Sequence, residues 1–435
     1  MSDQLLVYLD GVRIGTLSQS RQGSLGFTYD SDYLALPDPT PLSLSMPPHA
    51  GSHRNRVARA FLEGLLPDNQ AVRERWGATF GVSANNPFAL LRHVGRDAAG
   101  AVQVLPPETP STDAAHHEGD IDWLSDDEFV ALVRDLAEHR ADWNPGRYAG
   151  QWSLAGAQSK VALYRSAEED AWGIPRDSTP TTHIIKPALE GLDDHHLNEV
   201  LCQRAASHLG LPAARSELVE LSGVRAIVST RYDRARDQDG RLHRLHQEDL
   251  CQALAVTPSQ KYQADGGPGV GEIADLFTHL GAADRRASTQ RFLDALIYNV
   301  LIGGTDAHAK NYSLLISAGP RIRLAPLYDL ASILPYDEFD LRRVKLAMKI
   351  GGEYALDHIS IRQWHKLARE LRLDVDAVIV SLRQMAAEIL AQIGEIKAHA
   401  AKDGLAGEAV DRLAERLTNR MTACLNDLNR SSTSG

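Results

Sequence analysis

The sequence predicts an α+β protein in which strands dominate the first half and helices the second. Two apolar runs at 5–17 flank Asp10-Gly11, a dipeptide that strongly indicates a β-hairpin. Strand-like segments recur to about residue 234. Beyond that point apolar residues recur at helical spacing, most strongly in FLDALIYNVLIG at 292–303. With 435 residues, 43% of them hydrophobic, the chain can bury more than one core.

The first 105 residues are predicted to form a β-rich subdomain. After the hairpin, apolar spacing and turn residues indicate a strand, three helices and a final strand, at 24–29, 54–65, 70–79, 87–93 and 101–106.

The next region, 106–235, is predicted to begin with an acidic surface loop at 107–120 and a helix at 125–138 with Ser125 as its N-cap. The segment WSLAGAQSKVALYR at 152–165 then predicts a strand, a turn of small residues, and a strand containing Lys160. Backbone amides of such a turn can approach phosphates because its side chains are small. A plain β-hairpin is the alternative.

Lys186 ends the predicted strand THIIK, as a lysine ends the third strand of a kinase, where it contacts the α- and β-phosphates of ATP. An ordinary solvated lysine is the alternative. Glu199, near the start of a predicted helix at 196–209, would either pair with that lysine or favour the helix N-terminus through the dipole. Thr230, Arg231 and Tyr232 follow predicted strands where a kinase hinge offers backbone groups to adenine, although an ordinary connector fits as well.

The last region, 236–430, is predicted to be a helical lobe. The helices are expected at 247–256, 272–280, 292–303, 360–371, 374–398 and 407–429, with one strand at 345–352. The glycine-rich segment 261–271 lacks a preceding strand and a GK[ST] ending, so it is predicted to be a flexible surface loop. The SSTSG tail is expected to be disordered.

Two polar clusters interrupt this apolar region, TDAHAKN at 305–311 and LYDLAS at 327–332. Four residues separate Asp306 from Asn311, which is the spacing of a kinase catalytic loop, and Asp329 follows after an apolar strand-like pair. Hard Mg²⁺ takes oxygen ligands such as the Asp329 carboxylate and the Asn311 amide carbonyl. Asp306 would orient the acceptor hydroxyl or receive its proton. Either cluster alone could be a polar hairpin tip, but together they predict phosphoryl transfer.

Composition limits the classes of function and the cellular location that the chain can have. A formal net charge of −11 weighs against a broad nucleic-acid-binding surface. Cys202, Cys251 and Cys424 lie in helix-like sequence without a paired motif, so they are predicted to be small buried residues. No secretory signal is visible and no window reaches the length of a membrane span, which predicts a cytoplasmic protein.

These motifs resemble the HipA family, the toxin kinases of bacterial HipBA toxin–antitoxin modules. The resemblance covers nearly the whole chain, and its most specific stretches are SLAGAQSK (153–160), TPTTHIIKP (179–187), QEDLCQ (247–252), KYQADGGPG (261–269), GGTDAHAKNYS (303–313) and LAPLYDL (324–330). It implies a two-lobed, protein-kinase-like α+β fold with an N-terminal β-rich subdomain and a helical C-terminal lobe.

The resemblance also implies roles at individual positions. Asp306 would be the catalytic base, Asn311 and Asp329 would hold Mg²⁺, and Ser153 would be autophosphorylated. The residues implied in ATP binding are Ala155, Gly156, Ala157, Gln158, Ser159, Lys160, Lys186, Thr230, Arg231, Tyr232, His308, Ala309, Lys310, Asn311, Tyr328 and Asp329. The family hinge often begins with Glu where this chain has Thr230, and a largely backbone contact would tolerate the change.

The implied partners are a HipB-like antitoxin dimer, operator DNA through that antitoxin, and an aminoacyl-tRNA synthetase such as glutamyl-tRNA synthetase as the protein substrate. Arg369 and Arg372, one helical turn apart in the predicted helix, would contact DNA phosphates, although a solvated helix face is the more ordinary explanation. A small-molecule phosphotransferase and a catalytically silent corepressor remain as alternatives.

Overall fold

The computed structural model describes residues 3–115, 119–139, 152–168, 170–188, 194–317, 319 and 321–433. The strands, in chain order, are β1 (Asp3–Leu9), β2 (Val12–Gln19), β3 (Leu25–Tyr29), β4 (Ser52–Arg54), β5 (Val102–Leu105), β6 (Ile121–Trp123), β7 (Val161–Arg165), β8 (Trp172–Pro175), β9 (His183–Pro187), β10 (Ser216–Leu221), β11 (Val224–Thr230), β12 (Arg234–Arg236), β13 (Leu242–Arg244), β14 (Gln247–Asp249), β15 (Ser313–Ile316), β16 (Ile322–Leu324), β17 (Lys345–Ile350) and β18 (Glu353–Ala355).

The α-helices are α1 (Ser31–Leu34), α2 (Asn55–Gly64), α3 (Gln70–Phe80), α4 (Pro87–Val94), α5 (Ser111–Ala114), α6 (Asp126–Glu138), α7 (His195–His208), α8 (Leu250–Ala253), α9 (Val270–Thr278), α10 (Ala282–Ile302), α11 (Ile361–Glu370), α12 (Val375–Lys402) and α13 (Glu408–Thr433). This mixture of sheets and helices confirms the predicted α+β class.

The chain forms two compact units that interleave along the sequence. The first unit contains Met1–Pro187, Val219–Ser259 and Ser313–Ile322, and the second contains Ala188–Leu218, Gln260–Tyr312 and Arg323–Gly435. The predicted division into 1–105, 106–235 and 236–430 stays a prediction.

In the first unit, the N-terminal sheet has the order β4-β3-β2-β1-β5. The predicted hairpin is confirmed, with Leu5 opposite Leu17 and a two-residue turn at Asp10 and Gly11. Both turn residues have positive φ, 47° and 80°, which is the conformation that an Asp-Gly turn adopts between twisted strands. The alternating residues of β1 and β2 that point inward are fully buried against Phe27.

Among the described residues, the second sheet has six strands in the order β10-β11-β9-β7-β8-β6, and its pairs from β11 to β6 are antiparallel. Helix α6 begins at the predicted N-cap Ser125, which forms a capping box with Glu128. Its apolar face packs on the sheet, where the ring of Phe129 stacks on that of Trp172 at 5.3 Å. Of the residues that the sequence assigned to ATP binding in the first unit, Lys186 lies in β9 and Thr230 in β11, while 155–160 lead directly into β7.

The second unit is mainly helical. In α12 the buried residues recur every three or four positions, from Val378 and Leu382 to Ile396 and Ala400, which is typical of a core helix. By length and composition α12 would also suit a membrane span, with a mean hydropathy of 1.2 in its most apolar window, so the prediction that no window reaches that length was wrong.

Three local predictions were wrong. Residues 152–160 form no strand beyond the isolated bridges of Trp152 and Gly156, so the predicted hairpin is absent. The helix predicted at 247–256 is strand β14 followed by one helical turn, α8. Helix α13 continues to Thr433 through most of the tail predicted to be disordered. The glycine-rich segment 261–271 forms no strand and is a loop, as predicted, with a 3-10 turn at Gln263–Asp265 before α9 begins.

Candidate functional site

The first polar cluster begins where α10 ends. Gly303 caps the helix with φ 68°, a conformation that favours glycine. A Cβ on the next residue, Gly304, would lie 2.4 Å from Oδ1 of Asn299, so this position also requires glycine. The carbonyl of Thr305 then accepts a hydrogen bond of 2.9 Å from the amide of Ala347 in β17. The chain therefore leaves the helix in a fixed direction immediately before Asp306.

Residues 306–311 form a loop that is closed by its own hydrogen bonds. The carbonyl of Asp306 accepts from the amide of His308 at 2.8 Å and from Nδ2 of Asn311 at 2.8 Å. The amide of Asn311 donates to the carbonyl of His308 at 2.9 Å. The side chain of Asp306 is exposed. Because Asn311 uses Nδ2 as the donor of this bond, Oδ1 of Asn311 is the atom that a hard cation would bind.

The second polar cluster lies close to the first. The hydroxyl of Tyr328 donates to the carbonyl of Lys310 at 2.9 Å. Asp329 is exposed and has φ 56°, a conformation uncommon for residues other than glycine and often found at functional sites. Burial lowers the pKa of His308, while the charges of Asp306 and Asp329 both act to raise it. Both carboxylates are therefore near the same imidazole, so the structure brings the two clusters together.

The second unit offers Mg²⁺ a mixed set of oxygen ligands. Among the described residues no group of three or more His, Cys, Asp or Glu side chains could hold a metal ion. One carboxylate, Asp329, and one amide carbonyl, Asn311, nevertheless suit Mg²⁺, which usually keeps several waters and binds one or two protein groups plus substrate phosphates. The residues present thus fit a magnesium–nucleotide complex better than a closed metal site.

Sequence reasoning missed two residues, one that contacts this loop and one that contacts the helix leading into it. The hydroxyl of Tyr262 donates to Oδ1 of Asp306 at 2.7 Å. Arg420 of α13 donates from Nε to the carbonyl of Leu301 and from Nη2 to that of Val300, both at 3.1 Å, so a cation caps the helix that leads into the loop. Tyr262 belongs to the family motif KYQADGGPG, which was a usable signal. Nothing in the sequence pointed to Arg420.

In the first unit, residues 152–160 are tied down by long-range contacts. Ser153 is fully buried, and its hydroxyl donates to the carbonyl of Leu65 at 2.7 Å. Lys160 is also buried, and its Nζ donates to the carbonyl of Ala155 at 2.7 Å. Gly156 has φ 107°, and a Cβ there would lie 2.4 Å from that Nζ. The lysine thus folds back over a turn that only glycine allows.

This segment lies beside the strand that carries Lys186. Val161 pairs with Ile185 across β7 and β9, so Lys160 and Lys186 lie just beyond the last registered pair. Nε2 of Gln158 donates to the carbonyl of Pro187 at 3.4 Å. Within the segment Ser159 is buried and Ala157 is exposed, while Ala155, Gly156 and Gln158 are half-buried. The structure therefore brings together the predicted phosphate-binding residues of the first unit.

The predicted hinge residues sit next to a buried ionic network. The amide of Arg231 donates to the carbonyl of Thr182 at 2.9 Å, and its guanidinium contacts Asp97 and Asp233 at 3.1 and 2.8 Å. Arg234 and Arg244 also contact Asp97, at 2.8 and 3.0 Å. Burial alone would raise the pKa of Asp97, but the three guanidinium groups hold it well below its usual range.

The neighbouring hinge residues are placed differently. Thr230 is the last residue of β11 and pairs with His183, and it is exposed. The hydroxyl of Tyr232 hydrogen bonds to Oε1 of Gln247. Sequence reasoning identified Arg231 but not Asp97, whose partners are far away along the chain.

Two further predictions concern the second unit. Arg369 is exposed in the last turn of α11, but Arg372 lies beyond the helix, with φ 56° and a 2.5 Å contact from Nη2 to Asp275. They therefore do not share a helix face as predicted, because the chain leaves the helix at Leu371. Glu199 is buried in α7, where its Oε1 accepts from Gln203 at 3.4 Å.

Comparison with known proteins identifies the family of the chain. Two family models match the chain, the HipA N-terminal domain at residues 5–105 and the HipA-like C-terminal domain at 152–399. The protein Y4mE of Sinorhizobium fredii is 36% identical over 397 residues, which cover 90% of this chain and 92% of Y4mE.

The serine/threonine-protein kinase toxin HipA of Shewanella oneidensis is 31% identical over 369 residues, covering 82% of this chain and 81% of that toxin. A solved structure of HipA, HipB and operator DNA from Shewanella oneidensis MR-1 contains a chain that matches with a TM-score of 0.82 and 25% identity. That match covers 98% of both chains.

Proposed function

Because the chain belongs to the HipA family, we propose that it is a serine/threonine protein kinase toxin that transfers the γ-phosphate of ATP to a protein hydroxyl. The observation that carries this proposal is the pair of polar clusters in the second unit. They present Asp306, Asn311 and Asp329 on two loops joined by the Tyr328–Lys310 hydrogen bond. These are the residue types and the order that phosphoryl transfer uses.

The proposed mechanism assigns one task to each group. Asp306 orients the acceptor hydroxyl and takes its proton as the hydroxyl attacks phosphorus. Oδ1 of Asn311 and the Asp329 carboxylate would hold Mg²⁺, which neutralises charge on the phosphate oxygens when it is bound. His308, Ala309 and Lys310, on the same loop, and Tyr328 would contact the nucleotide.

The first unit supplies the remaining ATP contacts in this proposal. Lys186 and the segment from Ala155 to Lys160 would bind the phosphates, since the turn at Gly156 lets backbone groups come close. The backbone from Thr230 to Tyr232 would meet adenine.

We also propose the partners that the family suggests. The solved relative is a complex with HipB and operator DNA, which supports a HipB-like antitoxin that joins this chain in repressing its own operon. An aminoacyl-tRNA synthetase is the proposed substrate, with dormancy as the consequence, and the cytoplasm is the proposed location. Arg369 remains a proposed phosphate contact, whereas Arg372 already pairs with Asp275. A net charge of −11 favours leaving most DNA binding to the antitoxin.

The test compares Asp306→Ala and Asp329→Ala in the purified full chain. We expect Asp306→Ala to abolish phosphate transfer while nearly keeping Mg-ATP affinity, because the base acts in the transition state. Asp329→Ala should lose Mg-ATP affinity as well. Transfer is measured with labelled ATP and affinity by calorimetric titration. Wild-type rates in Asp306→Ala would overturn the catalytic assignment, and no transfer by the native chain would support a silent corepressor instead.

A further inference from the structure

We propose that Tyr262 is a positioning residue that holds the carboxylate of Asp306 in its working orientation. This inference rests on the proposed function. Its starting observation is the 2.7 Å hydrogen bond from the Tyr262 hydroxyl to Oδ1 of Asp306, two residues that are 44 positions apart in sequence.

The backbone that carries Tyr262 is fixed on its C-terminal side. The carbonyl of Tyr262 accepts from the amides of Asp265 and Gly267, at 3.0 and 2.9 Å. A Cβ on Gly267 would lie 2.0 Å from the carbonyl oxygen of Gln260, so glycine is required for this close approach. The glycine-rich sequence thus builds a compact turn under Tyr262 instead of a phosphate loop.

A second contact anchors the turn to the sheet that also holds the catalytic loop. Oε1 of Gln263 accepts from the amide of Lys349 in β17 at 2.7 Å. The same strand holds Thr305 through the amide of Ala347. Tyr262 and Asp306 therefore each have a neighbour fixed to β17, which sets the distance between them.

The ring of Tyr262 has a contact of its own that directs the hydroxyl. It meets the imidazole of His308 edge to face, with centroids 4.9 Å apart and planes at 82°. His308 is itself 3% exposed, and its amide donates to the carbonyl of Asp306. Ring and hydroxyl thus contact two residues of the same loop.

The chemical consequence concerns the two oxygens of Asp306. A carboxylate accepts hydrogen bonds at both oxygens. With Oδ1 held by Tyr262, Oδ2 is left for the acceptor hydroxyl, and rotation of the carboxylate is restricted. Catalysis depends on such orientation because a small misplacement of a reacting group slows the reaction. Removing the hydroxyl should therefore affect the chemical step more than nucleotide binding.

The experiment compares Tyr262→Phe with Tyr354→Phe in the full chain. Tyr354, in β18, is a matched control, because its ring lies near Lys349 and no bond joins it to Asp306. Myelin basic protein serves as a generic acceptor with labelled ATP, and label on the kinase itself is counted separately. We expect Tyr262→Phe to lower kcat about tenfold, as loss of one hydrogen bond to a charged group predicts, with the KM for ATP unchanged.

Thermal unfolding of the native chain and both variants completes the test. The inference is supported if kcat falls only in Tyr262→Phe while the melting temperature and the KM for ATP stay at native values. Native kcat in Tyr262→Phe would overturn the inference. An equal loss of kcat in Tyr354→Phe would also overturn it, as would a loss of kcat in Tyr262→Phe that is accompanied by a lowered melting temperature. A native chain without any transfer would overturn the proposed function itself, and this inference with it.

Discussion

The two units use carboxylates in opposite ways. In the second unit, Asp306 is exposed and the side-chain bond from Asn311 to its carbonyl spans five residues of sequence. In the first unit, the Asp97 side chain is 4% exposed, and it bonds to Thr181 and Arg244, 84 and 147 residues away. In the second unit local bonds shape the loop, and the Asp306 carboxylate stays exposed to a ligand although the hydroxyl of Tyr262 bonds to its Oδ1. In the first unit three guanidinium groups surround the buried Asp97 carboxylate and hold distant segments of the fold together.

This difference shows why polarity alone does not identify a site. Arg231 was singled out for a place in the adenine hinge, but its guanidinium is used within the ionic network. The same network reaches the phosphate-loop segment, since the carbonyl of Asp97 accepts from the amide of Ser153 at 3.0 Å. Residues with structural roles and residues proposed to bind ATP thus lie next to each other in the first unit. The three predictions that follow test the buried groups of this unit.

The largest expected effect on stability comes from Asp97→Ala. Removing the shared partner of three buried guanidinium groups leaves uncompensated charge, which typically costs about 3–5 kcal/mol of unfolding free energy. Denaturant unfolding measures the loss. The control is Asp122→Ala, which removes an exposed partner of Arg176 and should cost at most about 1 kcal/mol. Equal stability of the two variants would contradict the structural role assigned to the buried Asp97 network.

An intermediate effect is expected from phosphate on Ser153. A phosphoserine adds about −1.5 to −2 charges, and the buried hydroxyl already points at the Leu65 carbonyl oxygen. The segment that includes Gly156 should therefore leave its place, and ATP affinity should fall at least about tenfold, near 1.4 kcal/mol. Mass spectrometry of protein made active in cells, with nucleotide titration before and after phosphatase, measures this. Full ATP affinity of the phosphorylated form would show that autophosphorylation of Ser153, which the family resemblance implies, does not switch nucleotide binding off.

Per pH unit, the smallest effect concerns Glu248. Burial raises the pKa of this carboxyl to about 8, and its Oε1 accepts from the amide of Leu44 at 2.7 Å. In the folded protein the carboxyl keeps its proton up to about pH 8, whereas in the unfolded chain it loses the proton near pH 4.5. The stability that this difference contributes is complete below about pH 4.5 and is lost as the pH rises to about 8. We expect native stability to fall, relative to Glu248→Gln, by up to about 1 kcal/mol per pH unit in that window.

Denaturant unfolding at several pH values checks this prediction, because every other titrating group is common to both proteins. Glu220→Gln is the control, since Glu220 pairs with Arg225 at the surface. Parallel pH profiles for the native chain and Glu248→Gln would show that Glu248 is ionised in the folded protein.

Much of the fold could be predicted because its signals are local. The Asp10-Gly11 turn, the Ser125 cap and the apolar spacing of α12 each act over a few residues, and the structure confirms each of them. The errors arose where distant contacts decide. Gln247–Asp249 was predicted to be helical but pairs with β15. Residues 152–160 form no hairpin and are held by Leu65, Pro67 and Asp97, with the bond from Lys160 to Ala155 as a local contact.

The sequence by itself determined the order and spacing of Asp306, Asn311 and Asp329, because a short loop closed by its own backbone bonds needs little from the rest of the chain. Only the tertiary structure decided that Tyr262 reaches Asp306, that Arg420 caps α10 and that Asp97 gathers three arginines. Each of these contacts joins segments far apart in sequence. Its geometry depends on how the intervening elements pack, and no local pattern records that packing.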